Sequence, residues 1–195
     1  MSFHRLAKRL VFAVSIVVAS PLIAVSVLEK RLWRGEGLFL LGTHLVALVP
    51  GPPGTYVRAA YYWATLDACS WESHIGFGTL FTHRGAAVGA CVSTGAYCVI
   101  GHARIGPGTM LGSRVSVPSG KRQHFDDAGA LSSETRYDTV SIGHGCWIGE
   151  AAVVMADVGD GAVISAGAVV TRPVPARSIA GGNPAKVLRM LEQVV

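Results

Sequence analysis

The amino-acid sequence predicts an all-β solenoid, a parallel β-helix with three short strands in each coil, preceded by a helical N-terminal extension. Three observations support this prediction. A six-residue pattern repeats from Ile75 onward, glycine occupies 24 of the 195 positions, and an uncharged apolar segment fills residues 10–28. A chain of this length can bury a core without disulfide bonds. We therefore expect two regions, a helical region at 1–70 and a β-helix domain at 71–195.

Each repeat begins with an aliphatic residue, usually followed by glycine, and a small residue stands four positions after the aliphatic one. The aliphatic residues are Ile75, Val88, Ile100, Ile105, Leu111, Ile142, Ile148 and Val158, with weaker repeats at Thr94 and Ile164. The small residues are Thr79, Val92, Cys98, Thr109, Val115, Cys146, Ala152, Ala162 and Ala168. Because six residues cannot bury an apolar face alone, such units stack into a prism. Glycine suits the tight corners, and its density excludes an interior helix.

The C-terminal coils carry a recognisable sequence, IGHGCWIGEAAVVMADVGDGAVISAGAVVTRPVPARSIAGGNPAKVLR, from Ile142 to Arg189. With the repeats, this stretch resembles the hexapeptide-repeat acyltransferases, and the resemblance covers roughly residues 75–190. It implies a left-handed β-helix, although parallel crossovers are usually right-handed. It further implies an acyl-CoA-dependent acyltransferase, by default an O-acetyltransferase that uses acetyl-CoA, and a homotrimer.

Two local features of the C-terminal coils predict departures from the regular repeat. Val154 and Val158 are only four residues apart, where the similar enzymes keep the full six-residue spacing, so we expect a shortened turn there. The segment from Gly181 to Ala185 is rich in turn-forming residues. We expect it to end the last coil and to start a short amphipathic helix that caps the open sheet edge.

The six-residue pattern stops between Pro118 and Thr139, where the sequence is polar and rich in turn-forming residues. A long loop on a rigid solenoid often carries catalytic residues, and this loop contains His124. Acyl transfer to a hydroxyl or amine needs a base with a pKa near neutral pH, which imidazole supplies. The similar enzymes carry their catalytic histidine in the corresponding loop. The resemblance thus implies His124 as general base for direct transfer without an acyl-enzyme.

The sequence leaves open the roles of two other histidines and the identity of the group that orients His124. His102 and His144 occupy repeat positions whose side chains point outward, on the surface or toward the acceptor. A backbone carbonyl or any of three nearby acids could orient the imidazole of His124. These acids are Asp126, Asp127 and Glu134.

The resemblance also implies contacts with acetyl-CoA. The AGAVVTR run would place Ala166, Thr171 and Arg172 beside the pantetheine and the nucleotide, with Lys186 and Arg189 near the phosphates. From the residues alone, Ala166 could equally be a small residue that fills space in the coil, and Lys186 and Arg189 could be solvated surface charges. We expect no bound metal.

The uncharged segment at residues 10–28 would extend about 28 Å as a helix, close to the thickness of a hydrocarbon core. Basic residues flank it on both sides, so the positive-inside rule gives no orientation. Pro21 favours a re-entrant or interface-lying helical hairpin over a single span, and a cleaved signal peptide is a weaker alternative. The stretch from Leu38 to Pro50 is too short to span and would pack on the domain or lie at the interface. We expect the enzyme at the cytoplasmic face of the membrane.

Nearby aromatic residues could anchor the chain at the interface or pack onto the β-helix end. These residues are Trp33, Phe39, Tyr61, Tyr62 and Trp63.

Composition and residue spacing argue against several other classes of function. The net charge of +5 permits nucleic-acid binding, but the basic residues form no stripe, so we expect no nucleic-acid partner. Cys69, Cys91, Cys98 and Cys146 show no metal-binding or disulfide spacing, and we expect small buried side chains in a reducing compartment. Two alternatives remain: a membrane-associated scaffold without activity, and a zinc enzyme like the γ-class carbonic anhydrases. The acceptor would be a small molecule or a glycan, such as envelope polysaccharide or its lipid-linked precursor.

Overall fold

The computed structural model describes residues 3–33, 35–120, 123–124, 130–132 and 137–192. Three helices come first: α1 (Phe3–Leu32), α2 (Gly37–Ala47) and α3 (Gly51–Thr65). The strands follow as β1 (Ala68–Cys69), β2 (Leu80–Phe81), β3 (Ala87–Val88), β4 (Ser93–Thr94), β5 (Val99–Ile100), β6 (Ala103–Ile105), β7 (Met110–Leu111), β8 (Ser116–Val117), β9 (Val140–Ile142), β10 (Trp147–Ile148), β11 (Val153–Val154), β12 (Val163–Ile164), β13 (Val169–Val170), β14 (Ser178–Gly181) and β15 (Lys186–Met190).

The short strands build three sheets that form the sides of a prism. Face A has the order β1-β3-β6-β9, face B the order β4-β7-β10-β12-β14-β15, and face C the order β2-β5-β8-β11-β13. Among the fifteen strands named above, every pairing is parallel except that of β14 with β15. The chain runs from face A to B to C in each coil, so the prism has an A/B edge, a B/C edge and a C/A edge. The predicted parallel β-helix is confirmed.

The repeat positions point inward as predicted. Aliphatic residues such as Ile75, Ile100 and Ile148 are fully buried. The small residues beside them are buried too, and inward hydroxyls are paired within the coil wall. The Oγ1 of Thr109 donates to the carbonyl of Gly143 at 2.7 Å and accepts the amide N–H of Cys146 at 3.1 Å. A polar side chain therefore fits this interior because both its hydrogen-bonding roles are met.

The cysteines follow the expected burial with one exception. Cys69, Cys98 and Cys146 are buried free thiols, and burial raises the pKa of Cys69 to about 12. Cys91 is exposed, contrary to prediction. It occupies an outward corner with φ of 56°, so its side chain does not face the core.

The coils shorten along the prism. On face C, Leu80 pairs with Val99 and Val99 pairs with Ser116, so the second of these coils is shorter than the first. The coil that joins Val153 to its partner Val169 is shorter again. The residues lost from each coil come out of its corners, because the paired strands keep their register.

The short turn between Val154 and Val158 is one of these shortened corners. Val158 still bridges Ile142 on one side and Val174 on the other, so face A continues through it. The following coil repeats the same short spacing between Val170 and Val174. The departure from six-residue spacing is thus a property of the last two coils at the C/A edge.

The C-terminal segment was predicted to form a capping helix, and this prediction is wrong. Residues Lys186–Met190 form strand β15, which runs antiparallel to β14 in face B. Strand β14 would otherwise leave ladder groups unpaired at the end of the sheet, and a strand can pair with them where a helix could only cover them. Lys186 opposes Gly181, and Arg189 opposes Ile179.

Helix α1 is one continuous helix, so the predicted break at Pro21 is also wrong. Proline lacks the N–H that would bond to the carbonyl of Val17. The hydroxyl of Ser20 donates to that carbonyl at 2.7 Å instead. A neighbouring hydroxyl thus satisfies the acceptor that proline frees, which lets the helix continue.

The end of α1 is fixed to the prism by a buried ion pair. The Oε2 of Glu29 accepts a hydrogen bond from Arg84 at 2.7 Å, and both side chains are less than a tenth exposed. The same carboxylate accepts the first amide N–H groups of α2, from Leu38 at 2.8 Å and Phe39 at 3.0 Å. The guanidinium of Arg84 also donates to the hydroxyl of Ser26 at 2.7 Å. One carboxylate therefore caps α2 and joins α1 to the first coil.

Helices α2 and α3 close the N-terminal end of the prism. The buried Arg58 of α3 donates to the carbonyls of Ile75 at 2.9 Å and Val49 at 2.7 Å. The ring of Tyr62 packs against Phe81 in the first coil, with ring centres 4.6 Å apart. The aromatic residues of this region thus divide: Phe39, Tyr61 and Tyr62 are buried, whereas Trp33 and Trp63 are exposed.

The outward face of α1 is apolar. The part of α1 at residues 5–32 is long and apolar enough to cross a membrane. Only about a fifth of its most apolar 18-residue stretch is buried. The exposed apolar residues of α1 are Leu6, Leu10, Val11, Val14, Val17, Val18, Val25, Leu28 and Leu32. Leu41 and Leu45 of α2 and Leu48, which directly follows that helix, are exposed in the same way. The helical layer therefore presents much more apolar surface than a water-soluble domain usually does.

Candidate active site

The non-repetitive loop leaves the prism at the C/A edge. Strand β8 ends at Val117 on face C, and the next strand begins at Val140 on face A. The segment between these two strands spans residues 118–139. Ser119 and Asp138 close the base of the loop, because the Asp138 amide N–H donates to the Ser119 carbonyl at 3.1 Å.

His124 lies in a turn within this loop, and its side chain is exposed. Its backbone carbonyl accepts a hydrogen bond from the Ser132 amide at 2.9 Å, which ties the two arms of the loop together. Residues 125–129 and 133–136 lie outside the described residues. The three acids considered as partners of the imidazole, Asp126, Asp127 and Glu134, fall in those ranges.

Three rings pack together beside the base of the loop, also at the C/A edge. The ring centres of His83 and His102 are 4.7 Å apart, and Tyr137 lies 4.3 Å from His83 and 5.4 Å from His102. The rings of His102 and Tyr137 are stacked, with an angle of 11° between their planes. Tyr137 lies in the returning arm of the loop, three residues before β9, so this cluster connects the loop to two earlier coils.

Glu36 fixes the orientation of His83. Its Oε2 lies 2.7 Å from Nδ1 of His83, and its Oε1 accepts the amide N–H of Arg84 at 2.9 Å. An ionised carboxylate can only accept hydrogen bonds, so Nδ1 carries the proton in this pair. When the ring is neutral, Nε2 is then its hydrogen-bond acceptor. A carboxylate–imidazole pair of this kind can handle protons or bind a hydroxyl group.

His102 is half-buried against this pair. Burial lowers the pKa of His102, the nearby His83 lowers it further, and Glu36 and Asp67 oppose the change. The ring also lies directly over Gly85, where an added Cβ would come within 2.6 Å of the imidazole. These shifts favour the neutral imidazole of His102, and the ring is less exposed than an outward repeat position predicts. His144 is exposed as predicted, and its Nε2 lies 3.0 Å from Asp160 on the A/B edge.

Sequence reasoning did not bring these residues together, although one signal was available. His83 stands three positions after Leu80, and His102 stands three positions after Val99, the residue that pairs with Leu80 on face C. Side chains separated by one coil lie above one another on the same edge. The coil length, and not nearness in sequence, therefore decides which histidines are neighbours. Glu36 has no such signal, because it comes from the helical region.

The residues predicted to contact acetyl-CoA fall on different edges. Ala166 follows β12 at the B/C edge and is exposed, and its backbone packs directly on Gly149 of the preceding coil. Thr171 and Arg172 follow β13 at the C/A edge. Lys186 and Arg189 lie exposed on β15. Lys186 is near Ala166, since its partner Gly181 lies against the neighbouring Ser165.

Face A carries a shallow groove of about 630 Å³ that runs along several coils. Its lining includes Arg104, Ser141, Asp157 and Asp160. The Oδ1 of Asp157 accepts the Ser141 amide N–H at 2.7 Å, so this carboxylate is already engaged by the coil wall. Within the part of the chain that the structure describes, no group of three His, Cys, Asp or Glu side chains could hold a metal ion.

The fold and the repeats have counterparts among known acetyltransferases. No family profile matches the chain. Serine acetyltransferase 2 of Arabidopsis thaliana is 31% identical over 102 residues, which cover 47% of this chain and 32% of that protein. Among the first curated relatives the matched stretches span less than half of the relative's length.

Solved structures share the fold over more of the chain. A maltose O-acetyltransferase of Clostridium difficile 630 superposes with a TM-score of 0.72 at 22% identity, over 85% of this chain and 91% of that one. An N-acyltransferase of Bacillus cereus, solved with dTDP and coenzyme A, gives a TM-score of 0.52 at 16% identity, over 63% of this chain and 75% of that one. The fold is thus the left-handed β-helix of these enzymes. In the matched stretches and in its fold, the chain is similar to hexapeptide-repeat acetyltransferases.

Proposed function

We propose that this chain is an acyl-CoA-dependent O-acetyltransferase with His124 as its general base. One observation carries the proposal. The loop that holds His124 projects from the same C/A edge as the His83–His102–Tyr137 cluster and the Thr171–Arg172 pair. A base, polar groups for an acceptor and candidate contacts for the acyl donor are therefore arranged along one edge of a rigid prism.

The chemistry would be direct transfer. Nε2 or Nδ1 of His124 takes the proton from the acceptor hydroxyl as its oxygen attacks the thioester carbonyl of acetyl-CoA. The tetrahedral intermediate then collapses, the carbon–sulfur bond breaks, and the coenzyme A thiolate takes up a proton from the imidazolium. The ester and free coenzyme A leave, and His124 is again neutral.

His83, His102 and Tyr137 would form the acceptor side of the site. Their donors and acceptors are arranged by packing and by Glu36, which suits the recognition of several hydroxyl groups on one ring. We therefore propose a glycan or another polyhydroxy small molecule as acceptor, with an envelope polysaccharide or its lipid-linked precursor first among the candidates. The maltose O-acetyltransferase of Clostridium difficile 630, which has the same fold, supports this class.

Acetyl-CoA would lie along the prism beside the last coils. We propose Thr171 and Arg172 at the C/A edge and Ala166 and Lys186 at the B/C edge as its contacts, with Arg189 toward the phosphates. Face C separates these two edges. A single extended ligand that touches both must cross this face or lie between two prisms.

A second copy of the chain would complete that groove. Met110 and Trp147 are paired across face B, and each is about half exposed. Such apolar pairs on the outside of a solenoid are suited to burial against another prism. We propose a homotrimer with threefold symmetry, in which each acyl-CoA groove borrows residues from two chains.

Helices α1 and α2 would attach the enzyme to a membrane. One face of α1 packs on α3 and on Arg84, whereas the opposite face exposes an apolar stripe with basic residues at both ends. A helix whose inner face is fixed to the protein suits a position in the plane of the bilayer surface. We propose peripheral attachment at the cytoplasmic face, where acetyl-CoA is available.

The activity is tested by following the release of the coenzyme A thiol from acetyl-CoA by the purified full chain with a panel of sugars and nucleotide sugars. Acceptor-dependent release supports the proposal. No release with any hydroxyl or amine acceptor, from protein that is folded and binds acetyl-CoA, favours the scaffold alternative. Flotation with liposomes tests membrane attachment independently.

A further inference from the structure

A second cavity, of about 610 Å³, lies away from the C/A edge. It opens between the first turns of α1, the start of α3 and the residues that follow β1 at the A/B edge. Six of its lining residues matter here, namely Arg5, Lys8, Tyr56, Trp71, Glu72 and Cys91. None of these residues belongs to the proposed active site.

Two cations face this cavity without a partner. Arg5 and Lys8 are three residues apart on α1, so their side chains leave the helix on the same side. Within the described residues, neither side chain has a hydrogen bond or an ion pair. Arg9 adds positive charge nearby, with its guanidinium 5.9 Å from the centre of the Trp71 ring. A phosphate group is the natural ligand for such a pair of free cations.

The other wall of the cavity suits a cation. Glu72 contributes a carboxylate, and Tyr56 and Trp71 contribute aromatic rings, whose faces attract ammonium groups. The Trp71 ring is held by Phe12 of α1, with ring centres 5.9 Å apart. A site for phosphate alone would gain nothing from this carboxylate, since it repels an anion.

We propose that this cavity binds the headgroup of a zwitterionic phospholipid. The phosphate contacts Arg5 and Lys8, and the ammonium group lies beside Glu72 and the aromatic rings. The exposed apolar stripe of α1 begins at Leu6, next to Arg5 in sequence, so the two cations lie at the same end of the helix as the start of the surface that would contact the bilayer. The lipid as source depends on the membrane attachment proposed above, whereas the headgroup chemistry does not.

Cys91 gives the cavity its own reporter. It is exposed at the cavity wall, and the other three cysteines are buried. The rate of its alkylation by N-ethylmaleimide in the native full chain therefore reports occupancy, and Cys91→Ser identifies the labelled thiol. Glycerophosphoethanolamine should slow the reaction about tenfold at saturation. Glycerol 3-phosphate and ethanolamine, which each carry half of the chemistry, should slow it far less.

Substitutions test which residues bind the ammonium group and which bind the phosphate of the headgroup. Glu72→Gln should reduce protection by glycerophosphoethanolamine to the level of glycerol 3-phosphate, and Arg5→Gln with Lys8→Gln should abolish protection by both. Arg31→Gln, at the far end of α1, is the matched control and should leave protection unchanged. Equal protection by glycerol 3-phosphate in the wild type, or none by glycerophosphoethanolamine, overturns the proposed headgroup site.

Vesicles distinguish a membrane lipid from a soluble compound. Phosphatidylethanolamine vesicles should protect Cys91 in wild type and not in the Arg5→Gln, Lys8→Gln variant. Protection by glycerophosphoethanolamine but not by vesicles that bind the protein overturns the lipid as source. If vesicles do not bind the protein, membrane attachment fails, and the soluble headgroup measurement still decides the chemistry of the cavity.

Discussion

The carboxylate of Glu36 and the imidazole of His83 form a hydrogen-bonded pair with 2.7 Å between Oε2 and Nδ1. This contact joins the start of α2 to the C/A edge of the prism, and it determines which nitrogen of His83 faces the candidate active site. The helical region thus contributes to the site as well as closing the end of the prism.

Loss of this carboxylate should weaken acceptor binding. Glu36→Ala frees the His83 ring to rotate and to change tautomer, so we expect the KM for the acceptor to rise about tenfold while the KM for acetyl-CoA stays the same. Steady-state kinetics with each substrate varied in turn measures both constants. Glu150→Ala removes an exposed acid elsewhere and is the control. An unchanged acceptor KM in Glu36→Ala would remove His83 from the acceptor side.

The buried pair of Glu29 and Arg84 should contribute strongly to stability. Glu29→Ala leaves a guanidinium buried without its partner and uncaps α2, so we expect the free energy of unfolding to fall by about 3–5 kcal/mol. The neighbouring Lys30 pairs with Asp67 at 3.3 Å, but both side chains are more than half exposed. Lys30→Ala should therefore cost at most about 1 kcal/mol. Urea denaturation compares the two variants, and equal losses would contradict this assignment.

Substitution of the residues proposed to contact acetyl-CoA should weaken binding of the acyl donor without slowing the chemical step. Arg172→Ala and Lys186→Ala each remove a charge expected near the nucleotide, so we expect the KM for acetyl-CoA to rise about tenfold with little change in kcat. Arg177→Ala removes the same charge near the A/B edge and should leave KM unchanged. A fall in kcat at constant KM would show that these cations do not bind the donor in its ground state.

Acid should destabilise the fold through His102. The pKa of His102 is lower in the folded chain than in the unfolded chain because the ring is half-buried beside His83. The unfolded state therefore binds more protons below its own pKa of about 6.5. The stabilisation from His102 is fully present above that pH and is lost as pH falls toward the folded pKa. Wild type should lose more stability between pH 7.5 and 5 than His102→Gln does, and parallel curves from thermal unfolding would contradict this.

Much of the prism could be predicted because its repeats are local. A six-residue period places each aliphatic and small residue inward whatever the neighbouring coil contains, and residues such as Ile148 and Ala152 are buried as expected. The loop limits follow from where this period stops. The site could be predicted only in part, because it depends on which corners stack. His83 and His102 become neighbours because one coil separates them, and the six-residue period does not specify the length of that coil.

Two of the incorrect predictions concern hydrogen-bonding partners that sequence patterns do not reveal. The end of the chain forms β15 because strand β14 offers a free ladder to pair with. Helix α1 continues through Pro21 because the Ser20 hydroxyl replaces the missing donor at Val17. In both cases propensity was outweighed by satisfaction of a backbone group.

The role of His124 as catalytic base is tested by comparing acetyl transfer by wild type, His124→Ala, His83→Ala and His144→Ala at saturating acetyl-CoA. His144 is an exposed histidine on another edge of the prism and serves as the matched control. We expect His124→Ala to lower kcat by about a hundredfold or more while acetyl-CoA binding is retained, and His144→Ala to behave as wild type. Equal kcat for His124→Ala and wild type would show that His124 is not the base, and a comparable loss found only in His83→Ala would assign that role to His83.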